Sequence, residues 1–436
     1  MSDAINLDSL TKRRYLHIIL PCFLISILAY LDRTNVSYAA LTMNKDLGLT
    51  AEVFGMGAGL FFIGYFFFEI PGALIASRYS ARWWLARIMF TWGIVCALMS
   101  SMTTAWEFYL YRFLLGAAEA SLYPVLYAVV IPRWFNAKER AQAISIMLTS
   151  IIAAPIFGGP LAGLLLDTNL FGLKGWQSLF IVEGIPSVFL GVILVYFLPD
   201  WPKDAKWLTA EEKQYLSDQY EKEIAVKNSV RKYTIWEALT DKMVLRLCLI
   251  YFLWITGFWG FNVWMPSVLK GLSGWSNQFI GFITVIPFVC GLIGFIVIGV
   301  NSSRTGEKRW HVATAMFLAA IGLGLGPFVT NLFWSMVLVC IAAIGAYAGM
   351  GVWWTVPTSF LSGAAAAGAV GMINSIANLG GYFGPYVTGH IKDATGSFLG
   401  GYLFLASFFA LAGLVMLTLP KKQPADAAHS NTGEQN

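Results

Sequence analysis

Apolar runs long enough to cross a bilayer recur along the whole of this 436-residue chain. They constrain the fold more than any other feature. The hydrocarbon core of a bilayer is roughly 30 Å thick, which an α-helix crosses in about 20 residues. No water is available there, so each backbone N–H and C=O must be paired within its own segment, and such a run folds as a helix. Charged residues make up 12% of the chain, against about 25% in a soluble protein. Twelve spans are expected, at roughly 15–40, 52–77, 83–102, 105–132, 141–166, 176–198, 243–269, 276–300, 309–329, 331–360, 366–391 and 398–419. The expected fold class is an all-α membrane protein with twelve transmembrane helices in two pseudo-symmetric six-helix bundles.

The stretch 200–242 breaks the pattern. It is rich in Lys, Glu and Asp and reads as helical near Leu208-Thr-Ala-Glu-Glu-Lys-Gln-Tyr215. It separates an N-terminal bundle (1–199) from a C-terminal one (243–420), and the polar tail 421–436 is expected to be disordered. Ser77-Arg78-Tyr-Ser-Ala-Arg82 is echoed 226 residues later by Ser303-Arg304-Thr-Gly-Glu-Lys308. Repeated halves around a midplane site are a transporter signature.

Basic residues orient the chain. One set of loops holds Lys12, Arg13, Arg14, Arg78, Arg82, Arg87, Arg133, Lys138, Arg140, nine more in and beside the linker, Arg304, Lys308, Arg309, Lys421 and Lys422. The opposite loops hold Lys45, Lys174, Lys270 and Lys392. Linker and both termini are therefore expected on the cytoplasmic side of a bacterial inner membrane. The first apolar run is too long for a signal peptide and lacks a small-residue cleavage site, so it reads as an uncleaved span.

Several function classes are disfavoured. The basic residues sit in short loops and not on a folded basic domain, so nucleic acid is not expected. The five cysteines are odd in number, lie in apolar runs and form no Cys-x-x-Cys pair; they read as small buried hydrophobes. None of His17, His311, His390 and His429 stands beside a suitable partner, so neither an enzyme nor a metal site is expected. No Gly-x-x-x-x-Gly-Lys-Ser/Thr occurs, which argues against ATP hydrolysis. The expected cofactor set is empty, with the proton gradient as the energy source. The expected partners are a small organic anion, protons and lipid, and the chain is expected to be a monomer.

What remains is charge inside apolar runs: Asp32, Arg33, Arg112 and Glu119. A charge at the bilayer centre costs roughly 2.5–3.5 kcal/mol on insertion scales, so it marks a candidate functional site. An arginine fork suits a carboxylate bidentately and stays charged. A carboxylate away from water pays for its charge and so accepts a proton more readily. Glu119 lies two turns from Arg112 on one helix face. Asp32 and Arg33 are about 100° apart around their helix, so one can face a cavity while the other faces a neighbouring helix.

Several blocks, in order, carry a family resemblance. They are Tyr30-Leu-Asp-Arg-Thr-Asn-Val-Ser-Tyr-Ala, Gly64-Tyr65 with Ile70-Pro71, Arg112-Phe-x-x-Gly-x-x-Glu119-Ala, Trp134-Phe-Asn-Ala-Lys-Glu-Arg-Ala, Gly175-Trp-Gln-Ser-Leu-Phe-Ile-Val-Glu-Gly-Ile-Pro and Asn374-x-x-x-Asn378-Leu-Gly-Gly. Together they resemble the anion:cation symporter branch of the major facilitator superfamily over nearly the whole chain. The resemblance implies the superfamily fold. It also implies that Arg33 and Tyr65 hold a substrate carboxylate, that Asp32 and Glu119 serve proton coupling, and that Arg112 partners them. Asn262, Asn374 and Asn378 are further polar candidates for the substrate, and Trp354 is a candidate pocket wall.

Two departures stand out, the first at the expected inner gate, which would lack one charge contact, and the second bearing on substrate. Ser77 and Ser80 stand where a charged residue and a glycine are usual. Ile151-Ile152-Ala153-Ala154 is apolar where some sugar-acid permeases carry glutamine. The second departure favours short hydroxy-dicarboxylates or aromatic acids over six-carbon sugar acids. The expected function is proton-coupled uptake of an organic carboxylate. The alternatives are a proton-driven multidrug exporter of the same superfamily and a membrane-embedded enzyme. Arg112 with Glu119 also fits a structural ion pair. Glu69 and Glu183 read as structural, and Gly158-Gly159-Pro160 as close helix packing.

Overall fold

A computed structural model describes residues 5–228, 240–357 and 364–420. All regular structure among them is helical. Helices long and apolar enough to span a membrane are α1 (Leu7–Asp46), α2 (Ala51–Arg78), α3 (Ala81–Ser101), α4 (Ala105–Trp134), α5 (Gln142–Leu166), α6 (Gly175–Phe197), α7 (Lys242–Ser273), α8 (Asn277–Thr305), α9 (Arg309–Phe328), α10 (Leu332–Trp353) and α12 (Leu399–Leu417). A further helix, α11 (Ala364–Thr395), is richer in Gly and Ala but equally long. These twelve form two bundles. A short linker helix, Ala210–Asn228, lies between them in sequence. The disordered tail expected after residue 420 and the end of the tenth span at 358–360 lie outside the described residues.

Local chemistry sets the helix ends. Thr104 and Glu107 form a capping box at the start of α4, satisfying two of the backbone donors that a helix start leaves unpaired. The same helix breaks at Ala120–Ser121, where Ser121 has φ 72°. Pro124 explains the break: it has no N–H for the Ala120 carbonyl, and its ring crowds that carbonyl. Glu119 is thus the last residue of a regular segment, with the kink directly behind it. The expected span 105–132 contained no allowance for this.

The two bundles meet mainly through α2 with α11, α5 with α8 and α1 with α7. The linker helix binds the N-terminal bundle. Arg13 pairs with Glu212 and donates to the Trp207 carbonyl at 2.8 Å. The Trp207 ring stacks on His17 and on Trp134 at centroid separations of 4.5 and 5.5 Å. Arg140 reaches Glu223 at 2.8 Å. These contacts define a linker face; the other end of the molecule is the opposite face. Gly159 packs against the Gly281 carbonyl, so Gly158-Gly159-Pro160 serves close helix approach, as expected.

Candidate functional site

Arg33 is the centre of the buried polar core. It projects from α1 among four aromatic rings, Tyr30, Phe61, Tyr65 and Tyr123, each with its centroid 5.0–5.2 Å from the guanidinium carbon. Cation–π attraction of this kind strengthens when the cation is desolvated, and Arg33 is 6% exposed. Its Nε and a terminal nitrogen each lie 2.7 Å from Glu119 Oε1. Glu119 is fully buried, and its Oε2 has no hydrogen-bond partner. α2 and α4 approach closely enough to bring the cage together because Gly64 and Gly116 pack on the backbone of Phe113 and Phe61, where a Cβ would clash.

Asp32 turns the other way, toward α3. Its Oδ1 accepts from Cys96 Sγ at 3.1 Å and from Asn35 Nδ2 at 3.4 Å, while Oδ2 is unpartnered. Cys96 is buried, as expected, but it is a polar neighbour of Asp32 and not merely a small hydrophobe. Glu183, on α6, is buried within electrostatic reach of Asp32 and Asn35. Arg112 donates to the Ala58 carbonyl at 3.1 Å and lies over the Phe61 ring. Its Nε and Nη1 have no partner, and both Asp32 and Glu119 are within electrostatic reach. The considered Arg112–Glu119 ion pair is therefore not formed; Arg33 takes its place from a neighbouring helix. Three buried carboxylates, Asp32, Glu119 and Glu183, thus share one core with two guanidinium groups.

The other candidate residues occupy the C-terminal half and its seam. Asn262 donates to the Phe258 carbonyl at 2.8 Å and accepts from the Tyr347 hydroxyl at 2.7 Å. Asn374 Nδ2 donates to Glu69 Oε1 at 2.8 Å, and Ser375 to Oε2 at 3.0 Å. Asn378 also faces Glu69. Glu69 is thus a polar bridge between α2 and α11. Trp354 is half-buried and packs edge-on against Tyr251 at 5.3 Å, while Trp353 is buried behind it. Trp259 stacks on Tyr30 and leans on Phe62, closing the seam above Arg33.

Tyr30, Phe61, Tyr123 and Ser26 belong to this group as well, beyond the expected site residues. Tyr123 is held by Ser26 at 3.1 Å, and Ser26 is held by Ser150. A signal was present for two of them: Tyr30 opens the Asp32-Arg33 block, and Tyr123 falls one turn after Glu119.

A family model described as Major Facilitator Superfamily matches residues 22–385 and 247–435. The chain belongs to the major facilitator superfamily. A proposed tartrate transporter of Agrobacterium vitis is 39% identical over 99% of this chain and 96% of its own length. A quinolone resistance transporter of Acinetobacter baumannii is 38% identical over 89% and 90%. The crystal structure of a D-xylose–proton symporter superposes with a TM-score of 0.72, at 17% identity over 93% of this chain and 98% of that one. That last likeness shares the fold. This superfamily member is a multi-pass membrane transporter.

Proposed function

We propose that the protein is a proton-coupled importer of an organic carboxylate that works by alternating access. The observation that carries this reading is the Arg33–Glu119 pair in its aromatic cage. A guanidinium buried among rings and already engaged by a carboxylate is a site selected for carboxylates. Glu119 then competes with the substrate. With Glu119 charged, Arg33 is occupied. A proton on Glu119 frees the fork, and a substrate carboxylate takes its place beside Tyr65. Asp32 is the second proton carrier, and Arg112 restrains both through its charge. Three carboxylates to two guanidinium groups leave one negative charge for a proton to neutralise before the halves rock with a neutral core.

Asn262, Asn374, Asn378 and Trp354 form the far wall in this reading. Asn262 and the Asn374 amide nitrogen are engaged within the protein, and Ile151 and Ile152, next in sequence to Ser150, are buried. A polyol would leave hydroxyls unpaired at about 1–3 kcal/mol each. Short hydroxy-dicarboxylates or aromatic acids fit better, and the tartrate name of a relative points the same way. Residues 1–199 and 243–420 are the rocking units, joined by 200–242. The linker face is cytoplasmic in a bacterial inner membrane, with both termini on that side, and one chain suffices.

Uptake into proteoliposomes tests this. Tartrate inside should exceed tartrate outside only when the exterior is more acidic, and protons should enter with it. Equal filling with and without the gradient would leave facilitated diffusion. The quinolone resistance relative favours a second reading, export. Accumulation of a fluoroquinolone in inverted vesicles, with no tartrate binding, would decide for it.

A further inference from the structure

On the face opposite the linker, the two halves hold each other by the helix starts. Asp393, near the end of α11, accepts from the backbone N–H groups of Ala51 at 3.1 Å and Glu52 at 2.7 Å, the first turn of α2. Asp167, just past the end of α5, accepts from Asn277 Nδ2 at 2.8 Å and the Gln278 backbone N–H at 3.1 Å, the first turn of α8. Each carboxylate belongs to one half and caps a helix of the other. Asp393 follows Asp167 by 226 residues, and Asn277 and Gln278 follow Ala51 and Glu52 by the same 226. The interval is that of the repeat after α2 and α8, so the pair obeys the pseudo-twofold symmetry.

The packing beneath the two carboxylates repeats in the same way. A Cβ on Gly55 would meet the Pro385 carbonyl at 2.3 Å, and one on Gly281 would meet the Gly159 carbonyl at 2.3 Å. Those partners too are 226 residues apart. Thr50 and Ser276 cap the third N–H of α2 and α8 from within their own halves, to Val53 and Phe279. Asp393 and Asp167 supply what those caps leave open. A carboxylate at a helix N-terminus is favoured both by the free N–H groups and by the helix dipole. When the halves part on this face, both carboxylates and both helix starts lose these partners.

We infer that Asp167 and Asp393 are twin latches that hold this face closed and set how often it opens. The inference rests on the alternating-access reading, but it names the residues that weigh one state against the other. Two features of the latches differ. The α2 latch carries a second layer, Glu52 with His390 at 3.1 Å and with the Tyr386 hydroxyl at 3.3 Å. The α8 latch has its amide, Asn277.

The test is a distance measurement across the closed face, by pulsed electron spin resonance between labels at the exposed Asn169 and Thr330. A helix cap typically contributes enough to change an equilibrium about tenfold. Asp167→Asn and Asp393→Asn should each raise the open-to-closed ratio by about that factor, and the double variant by about a hundredfold if the sites are independent. Asp46→Asn is the control: Asp46 binds Lys174 and Trp176 on the same face but within one half, so the distribution should stay as in the wild type. An unchanged distribution in the double variant overturns the latches. Should that variant not fold, Asp167→Cys with Gln278→Cys keeps the question open to measurement. Oxidation should join the two cysteines and stop transport until reduction, and a failure to crosslink overturns the inference. A wild-type distance that ignores substrate and pH would instead break the alternating-access reading, whatever the variants do.

Discussion

The two halves share a fold and differ in what they bury. The N-terminal half buries Asp32, Arg33, Arg112, Glu119 and Glu183. In the C-terminal half, the corresponding core among the described residues is Trp254, Phe258, Trp259, Phe261, Tyr347 and Trp353, with Asn262 as its polar centre. Buried charge is costly in a membrane and is kept where it is used. Most of the buried charge of the core therefore sits in one half, and aromatic apolar surface in the other. The seam where they touch, Tyr30 on Trp259 and Glu69 on Asn374, is where the two would have to communicate.

If this division is right, the largest effect should come from the charge that both functions share. Arg33→Ala should weaken carboxylate binding by at least about a hundredfold, since losing one member of a buried charge pair costs about 2–5 kcal/mol. Stability should fall as well, because Glu119 is left buried and unpaired. Arg33→Ala with Glu119→Gln should regain the stability and not the binding. Arg33→Lys should rescue poorly, because a point charge does not replace the fork. Tartrate titrations with thermal melts separate the two losses; wild-type affinity in the alanine variant would take Arg33 out of the site.

Glu119→Gln should cost no affinity and should instead cost coupling. The amide cannot hold Arg33 as a carboxylate does, so substrate binding should strengthen several-fold at neutral pH. In the wild type, binding should weaken as pH rises, because the deprotonated Glu119 reclaims Arg33; in the variant that slope should flatten. Exchange of labelled for unlabelled substrate should persist while gradient-driven accumulation disappears. Continued accumulation would move the proton to Asp32.

Much of the fold was legible in the sequence. Span positions follow from bilayer thickness; α1 and α7 run past their expected ends, α1 from its cap at Asn6, whereas α10 stops at Trp353, short of the expected 360. The kink at Ser121 was visible only as Pro124, three residues on. The charged residues of the site announce themselves, since Asp, Glu and Arg are rare in apolar runs. Their partners do not. Nothing in the chain says that Arg33 of α1 and not Arg112 of α4 will meet Glu119. That depends on how closely α2 and α4 approach at Gly64 and Gly116. Aromatic residues such as Tyr123 are silent for a similar reason: in a helix rich in Phe, Tyr and Trp, a cage and a core have the same composition.

The aromatic half should respond in selectivity and not in pH. Trp259→Ala removes the ring that covers Tyr30 and Phe62, and Trp354→Ala removes a half-buried ring beside Tyr251. Each should weaken an aromatic or short dicarboxylic acid by up to about tenfold, the scale of one well-packed ring, with the pH dependence of binding unchanged. Competition against one labelled acid gives the order. A clear preference of the wild type for a six-carbon aldonate would reject the apolar-wall reading and leave Arg33 and Glu119 as they are.

The smallest effect should come from the seam. Glu69→Gln keeps the size of the side chain and one carbonyl oxygen to accept from Asn374 or Ser375, so about 1 kcal/mol is at stake, a few-fold in an equilibrium. If Glu69 only ties α2 to α11, the variant should alter substrate affinity and proton stoichiometry little, and should change mainly the rate at which the halves part. If the charge also serves coupling, the number of protons carried per substrate should fall while exchange continues. Proton and substrate fluxes measured together in one preparation of proteoliposomes distinguish these. A changed stoichiometry would mean that ion chemistry is not confined to the N-terminal core but reaches the seam, and the division between the halves would have to be redrawn through α11.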